Sequence, residues 1–271
     1  MNRITELFQH KSSQILNVYF TAGFPQLNDT ASILEALQQA GVDIIEIGMP
    51  YSDPVADGET IQQSNQRALN NGMSLRLLFE QLQGIRDKVQ VPILLMGYLN
   101  PVVQFGVEAF CQKCAEVGVD GIIVPDLPID VYERDYKAIF DQHGLLNIFL
   151  ITPQTSDARI YQIDQLSDGF IYMVSSASTT GSQKGISDEM KAYFSRIKAM
   201  DIKNPRLIGF GIQDYATFQT ASQYANGAII GSAFVRLLEQ HEANKAAAIT
   251  NFIHSIRHSE TEEKIISELT A

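Results

Sequence analysis

Asp43-Ile44-Ile45-Glu46-Ile47-Gly48 is an apolar, β-branched run of the kind that forms a buried strand, interrupted by one carboxylate. It leads into Met49-Pro50-Tyr51-Ser52-Asp53-Pro54-Val55-Ala56-Asp57-Gly58, a loop with two more carboxylates. Similar short runs recur at 15–22, 92–98, 120–126, 146–152, 169–175, 205–210 and 227–231. Between them lie segments with helix-start signals. Asp29 precedes 31–40, which ends at Gly41; Ser74 precedes 75–89, Asp157 precedes 160–166, and Ser187 precedes 190–200. Strands alternating with helices imply parallel βαβ units. A count of eight favours an α/β fold closed as a (β/α)8 TIM barrel over an open doubly wound sheet. No linker, low-complexity tract or charge block divides the chain, so 1–271 reads as a single barrel domain with a short N-terminal helix.

Catalytic groups in such barrels stand at strand C-termini and in the loops that follow. Glu46 lies toward the end of the second strand, where alternation puts Ile44, Glu46 and Gly48 on one face and Ile45 and Ile47 on the other. An inward Glu46 sits at the barrel mouth. A carboxylate there must be paired, hold a metal, or spend much of its time protonated. A carboxylic acid that keeps its proton near neutral pH is a natural general acid, and a structural carboxylate paired with a cation is the competing reading.

Twenty basic against 31 acidic side chains give a net charge of -11, which disfavours nucleic acid and anionic membrane as partners. The N-terminal residues lack the apolar core of a signal peptide, and no apolar stretch approaches the ~18 residues of a membrane span. A cytoplasmic location is the default expectation. Cys111 and Cys114, spaced C-x-x-C inside a helical pattern from 108 to 117, read as plain reduced thiols.

An anionic substrate needs a local site that works against this overall field. The seventh strand ends Gly209-Phe210-Gly211-Ile212, and the eighth ends Ile229-Ile230-Gly231-Ser232-Ala233 and runs straight into a helix. Glycine admits an anion close to the main chain, and a helix start offers unpaired N–H groups. In barrels of this class the loops after the last two strands often hold phosphate, with no lysine or arginine required. The loop after the sixth strand, from Ser175 to Gly185, is long, small and polar; it reads as exposed slack or as a lid whose Gly181 adds an N–H.

None of the five histidines and no lysine falls at a strand C-terminus, which counts against metal-dependent epimerases and Schiff-base aldolases. Glu46, Asp53, Asp57 and Asp126 are too scattered to make a persuasive Mg²⁺ site, and no metal is expected. What remains is proton transfer by carboxylates on a phosphorylated substrate that supplies its own electron sink.

The run Glu46 to Gly58 resembles the tryptophan synthase alpha subunit family, and the resemblance extends along essentially the whole chain. Gly97-Tyr98-Leu99-Asn100-Pro101, Asp126-Leu127-Pro128, Thr180-Gly181, Gly209-Phe210-Gly211-Ile212 and Gly231-Ser232-Ala233 also carry it. The resemblance implies a lyase of tryptophan biosynthesis that cleaves indole-3-glycerol phosphate to indole and glyceraldehyde 3-phosphate without a cofactor. It implies that Glu46 protonates indole C3 and handles the glycerol hydroxyl proton, while Asp57 accepts the indole N–H. Tyr172 would lie near Glu46, and Tyr19 and Phe210 would border the indole; each is also an ordinary core aromatic in the plainer reading. Thr180 would meet Asp57 on loop closure, and Gly181, Gly211, Gly231 and Ser232 would hold the phosphate.

By the same resemblance the chain joins an αββα heterotetramer and passes indole to a PLP-dependent beta subunit. Asp53, Pro54, Asn100, Pro101, Leu127 and Pro128 would form or flank that interface. Many relatives read Ser-Arg-x-Gly-Val-Thr-Gly after the sixth strand, where this chain has Ser175-Ser176-Ala177-Ser178-Thr179-Thr180-Gly181. Two alternatives stay open. One is another phosphate-binding barrel, such as indole-3-glycerol phosphate synthase or a ribulose-phosphate epimerase; the other is a catalytically silent subunit that activates a partner.

Overall fold

The structure is a computed structural model that describes residues 1–174, 187–209 and 211–259. Nine strand segments form one sheet: β1 (Ile15–Thr21), β2 (Ile44–Gly48), β3 (Ile93–Met96), β4 (Gly121–Ile123), β5 (Leu146–Asn147), β6 (Phe149–Ile151), β7 (Ile171–Val174), β8 (Arg206–Gly209) and β9 (Gly227–Ile230). Their order is β5-β4-β3-β2-β1-β9-β8-β7-β6, and the paired strands run parallel. The two ends of that order, β5 and β6, are separated in the chain by Ile148 alone, so the sheet closes on itself.

Nine segments rather than eight strands is a correction with a simple cause. The expected fifth strand, 146–152, pairs through its first half with β4 (Gly121↔Leu146) and through its second with β7 (Phe149↔Ile171). Between the halves, the Ile148 N–H donates to Ile122 O at 2.9 Å. Tilted strands in a closed barrel are staggered, and here the stagger hands one strand from one neighbour to the other.

Strand alternation sorts the core into two. Ile15, Ile44, Leu94, Ile123, Leu207 and Ile229 fill the barrel interior, whereas Leu16, Val18, Phe20, Ile45, Ile47 and Leu95 pack under the helices. The N-terminal helix Arg3–His10 closes the barrel floor: Ile4 joins the interior cluster, and the Phe8 and Phe170 rings lie 6.0 Å apart. Asn2 caps that helix and also donates to Asp120 O at 2.7 Å.

Asp120 shows what a structural buried carboxylate looks like in this protein. It is 3% exposed, contacts Arg3 at 3.0 Å and Arg86 at 2.5 Å, and accepts the Ile93 N–H at 2.8 Å. Removing one partner of such a pair strands the other charge. Arg86→Leu is therefore expected to cost about 3 kcal/mol or more of stability, read as a lowered midpoint in urea unfolding.

Ser74 and Ser187 cap their helices as expected, through bonds to the Leu77 and Met190 N–H groups. Two starts differ. Ser156, not Asp157, caps Asp157–Leu166, and Asp29 makes no cap bond, pairing instead with Lys245 at 3.1 Å. The expected helix 75–89 breaks after Leu75–Gln81, because Gly84 turns left-handed (φ 72°) before a short 3-10 turn Ile85–Asp87. Cys111 and Cys114 are buried free thiols in Val107–Val117, and burial pushes both thiol pKa values up. Among the described residues, no helix is long and apolar enough to cross a membrane.

Candidate active site at the barrel mouth

β2 carries Glu46 in register with Tyr19 on β1 and Leu94 on β3. The side chain is fully buried and shares the inward face of Ile44. Among the described residues its one hydrogen bond is short: Asn17 Nδ2 donates to Glu46 Oε1 at 2.5 Å. Oε2 has no partner. Among the described residues no cation pairs with Glu46, in contrast to Asp120, so the paired-structural reading does not describe it. Burial pushes the Glu46 pKa up to about 8, with the Asn17 bond pulling the other way.

A cleft opens at the C-terminal ends of the strands, lined by Tyr19, Asp57, Tyr172, Gly211, Gly231 and Ser232 among others. Glu46 does not line it. It lies one layer below, where its charge helps raise the hydroxyl pKa values of Tyr19 and Tyr172. The two tyrosines rest on glycines of the neighbouring strands. A Cβ added at Gly48 would run into the Tyr19 hydroxyl, and one at Gly209 into the Tyr172 hydroxyl. Gly209, which the sequence suggested as part of an anion loop, is thus needed as the seat of Tyr172.

Asp57 reaches the cleft from the loop after β2 and is half-buried. Tyr98 Oη donates to Asp57 Oδ2 at 3.1 Å and accepts the Ala56 N–H at 3.0 Å, which ties the carboxylate to the start of the helix Leu99–Phe105. Burial raises the Asp57 pKa and the Tyr98 bond holds it back, so Asp57 is less freely solvated than its loop position suggests. Tyr98 is a site residue that sequence reasoning missed. It stands two residues after β3, inside the stretch Gly97 to Pro101 that carries the resemblance, but nothing local gave it a role.

The far end of the cleft is built of main chain. Gly211 has a positive φ of 76°, and Gly231 stands as N-cap to the helix Ser232–Gln240. The Val235 N–H returns to Gly231 O at 3.0 Å, leaving the earlier N–H groups of that turn without intrahelical acceptors. Arg236, one turn further on the face of Ser232, also lines the cleft and donates to Thr60 Oγ1 at 3.3 Å. A site needing no cation was expected here, yet one stands at its rim. The i, i+4 spacing from Ser232 was the available clue.

Asp53, Pro54, Asn100, Pro101, Leu127 and Pro128 fall on segments stitched together beside this mouth. Asn100 Nδ2 donates to Tyr51 Oη at 3.3 Å, the Tyr51 and Tyr98 rings are 5.3 Å apart, and Asp126 Oδ1 accepts the Leu99 N–H at 2.9 Å. Val55 in the first loop is 87% exposed. Glu46, Asp53, Asp57 and Asp126 do not converge: among the described residues no three His, Cys, Asp or Glu side chains gather as a metal site. Thr180, Gly181 and Phe210 lie outside the described residues.

A closed (β/α)8 barrel whose strand C-terminal ends open on a cleft, with one carboxyl beneath it and another at its rim, has the architecture of the (β/α)8 barrel enzymes. Comparison with known proteins narrows it. The profile of the family described as "Tryptophan synthase alpha chain" matches residues 6–264. The chain is 56% identical to the tryptophan synthase alpha chain of Flavobacterium johnsoniae, over 95% of this chain and 100% of that one. It is 57% identical to the Parabacteroides distasonis protein of the same name over the same shares. Its structure superposes on a tryptophan synthase alpha chain from Legionella pneumophila with a TM-score of 0.83 at 33% identity, covering 95% of this chain and 96% of that one. The chain belongs to the tryptophan synthase alpha chain family.

Proposed function

We propose that Glu46 and Asp57 divide the proton transfers of the family's reaction between them in this chain. That reaction is the retro-aldol cleavage of indole-3-glycerol phosphate to indole and glyceraldehyde 3-phosphate, which makes the chain a lyase of tryptophan biosynthesis. The observation that carries the assignment is the buried Glu46 carboxyl, which among the described residues has no cation beside it and leaves Oε2 unpartnered.

The protonated Glu46, reaching up from beneath the cleft, gives its proton to indole C3, while the indole nitrogen lone pair supplies the electrons for the new C–H bond. The ring becomes a cationic indolenine, and the Asp57 carboxylate accepts its N–H and offsets the charge. The ionised Glu46 then takes the proton of the neighbouring glycerol hydroxyl. The C–C bond breaks, the aldehyde forms, and the bonding pair returns to the ring, regenerating indole and the protonated acid. One group serves as acid and then base because its pKa of about 8 lies near working pH. The ring itself is the electron sink, so this chain needs no cofactor; PLP belongs to the beta subunit.

Tyr19 and Tyr172 flank the indole. Gly211, Gly231 and Ser232 hold the phosphate. The main-chain donors at the start of Ser232–Gln240 support this, since a helix N-terminus binds an anion without a dedicated cation. The whole chain, 1–271, serves as one domain, acts in the cytoplasm, and assembles with a beta subunit as an αββα heterotetramer. The joined segments at Asp53-Pro54, Asn100-Pro101 and Leu127-Pro128 form or flank that contact.

Indole release from indole-3-glycerol phosphate, by the purified chain alone and then with a beta subunit, tests the reading. Slow release that rises with the partner is expected. No release in either condition would overturn it in favour of a silent, partner-activating subunit. Tyr98→Phe provides a finer check, because it removes the donor that holds the Asp57 pKa down. The acid limb of the kcat/KM profile is expected to move to higher pH, with kcat/KM near neutrality lower by about tenfold. An unmoved limb would detach Tyr98 from Asp57.

A further inference from the structure

Asn17 was absent from every sequence-based expectation, yet among the described residues it makes the only hydrogen bond to the proposed catalytic acid. It lies on β1, two residues before Tyr19, and is 0% exposed, as is Glu46. An asparagine in an otherwise apolar strand interior is costly unless its amide is bonded. Here Nδ2 is bonded to Glu46 Oε1 at 2.5 Å, while Asn17 Oδ1 and Glu46 Oε2 are both buried and unpartnered. The pair thus keeps one unused acceptor on the amide and one on the carboxyl.

We propose that Asn17 is a positioning residue for the reaction, a partner that bonds Glu46 in both of its protonation states. This rests on the reading of Glu46 as the acid and base of the cleavage. The chemistry lies in the amide, which carries a donor and an acceptor at the same reach. Against the carboxylate, Nδ2 donates to Oε1, as observed. Against the carboxylic acid, the amide turned half round presents Oδ1 to accept from the Oε–H. Each turn of the cycle therefore passes through both charge states without stranding the acid in an apolar interior. A lysine or arginine at this position would lock Glu46 ionised, as Arg86 and Arg3 bond Asp120. A leucine would leave it protonated and unheld.

The titratable groups facing Glu46 are Tyr19 from β1 and Tyr172 from β7, with Asp57 beyond them acting on both tyrosines. Both phenol pKa values are raised, chiefly by burial, so the tyrosines stay neutral across the useful pH range. On Glu46 itself, burial raises the pKa and the Asn17 bond lowers it.

The experiment uses the full chain labelled with ¹³C at the glutamate side-chain carboxyl, in wild type, Asn17→Leu and Asn17→Asp. The Glu46 resonance is assigned by its loss in Glu46→Gln. Leucine keeps the shape without a hydrogen bond, and aspartate keeps shape and polarity should the leucine variant fold poorly. Losing the amide donor is expected to move the Glu46 midpoint upward by about one pH unit or more in both variants. In parallel, kcat for indole release should fall about tenfold, with KM within about twofold. An unmoved midpoint in both variants, or an unchanged kcat, would overturn the inference. Cleavage persisting in Glu46→Gln while the midpoint still moves would overturn the catalytic reading instead, and leave the Asn17 bond a structural one.

Discussion

In Glu46→Gln, indole release is expected to fall by about 10³-fold or more, while substrate binds within about threefold of wild type. Glutamine keeps the length and polarity of the side chain and removes only its titration. The reaction as derived needs a proton delivered to C3 and another collected from the glycerol hydroxyl, and an amide does neither. Single-turnover cleavage and equilibrium binding measured side by side would check this; strong residual cleavage would remove Glu46 from the mechanism.

The same variant is expected to be more stable than wild type at alkaline pH. In the folded chain the Glu46 carboxyl holds its proton up to about 8, against an ordinary value of 4.5. Between these values the unfolded chain releases a proton that the folded chain keeps. Stability therefore falls as pH rises from 4.5 toward 8, and above that range the full penalty persists, on the order of a few kcal/mol. Glutamine carries no such penalty. Urea unfolding at pH 5 and pH 9, as about the two ends of the window, should show the variant's advantage widening with pH. A constant difference would mean that Glu46 titrates like an exposed carboxyl.

Asp57→Asn is expected to lower kcat/KM by about 10²-fold, less than the loss at Glu46. The amide oxygen can still accept the indole N–H and the Tyr98 hydroxyl, so orientation survives. What disappears is the negative charge opposite the cationic indolenine, an interaction that exists only after C3 is protonated. The loss should therefore appear in kcat more than in KM. Wild-type rates in this variant would exclude Asp57 from the charge stabilisation assigned to it.

Glu46 could be singled out from the chain alone because a carboxylate in an Ile-rich strand violates the hydrophobic pattern, and such violations concentrate at functional sites. The alternation of Ile44, Glu46 and Gly48 gave its inward direction correctly. Asp57 and the glycines at 211 and 231 were readable for a related reason, since loops after barrel strands face one common mouth. Asn17, Tyr98 and Arg236 were not. Each works through a partner distant in sequence, Glu46, Asp57 and Thr60 respectively, and periodicity says nothing about such pairs. The glycine seats at positions 48 and 209 were likewise misplaced or unseen, because a glycine's neighbours across a strand depend on register.

The order of elements, the parallel barrel and the faces of its strands were determined by local chemistry. β-branched runs, helix starts and apolar alternation act over a few residues and leave their marks in the chain itself. The tertiary structure alone decided which buried carboxylate is paired with cations and which is not. Asp120 and Glu46 are both buried acids next to apolar strand residues, and only the fold brings Arg3 and Arg86 to the one and Asn17 to the other. Proton affinity depends on the groups within a few ångströms and on the water excluded, and those are set by which strands and helices become neighbours.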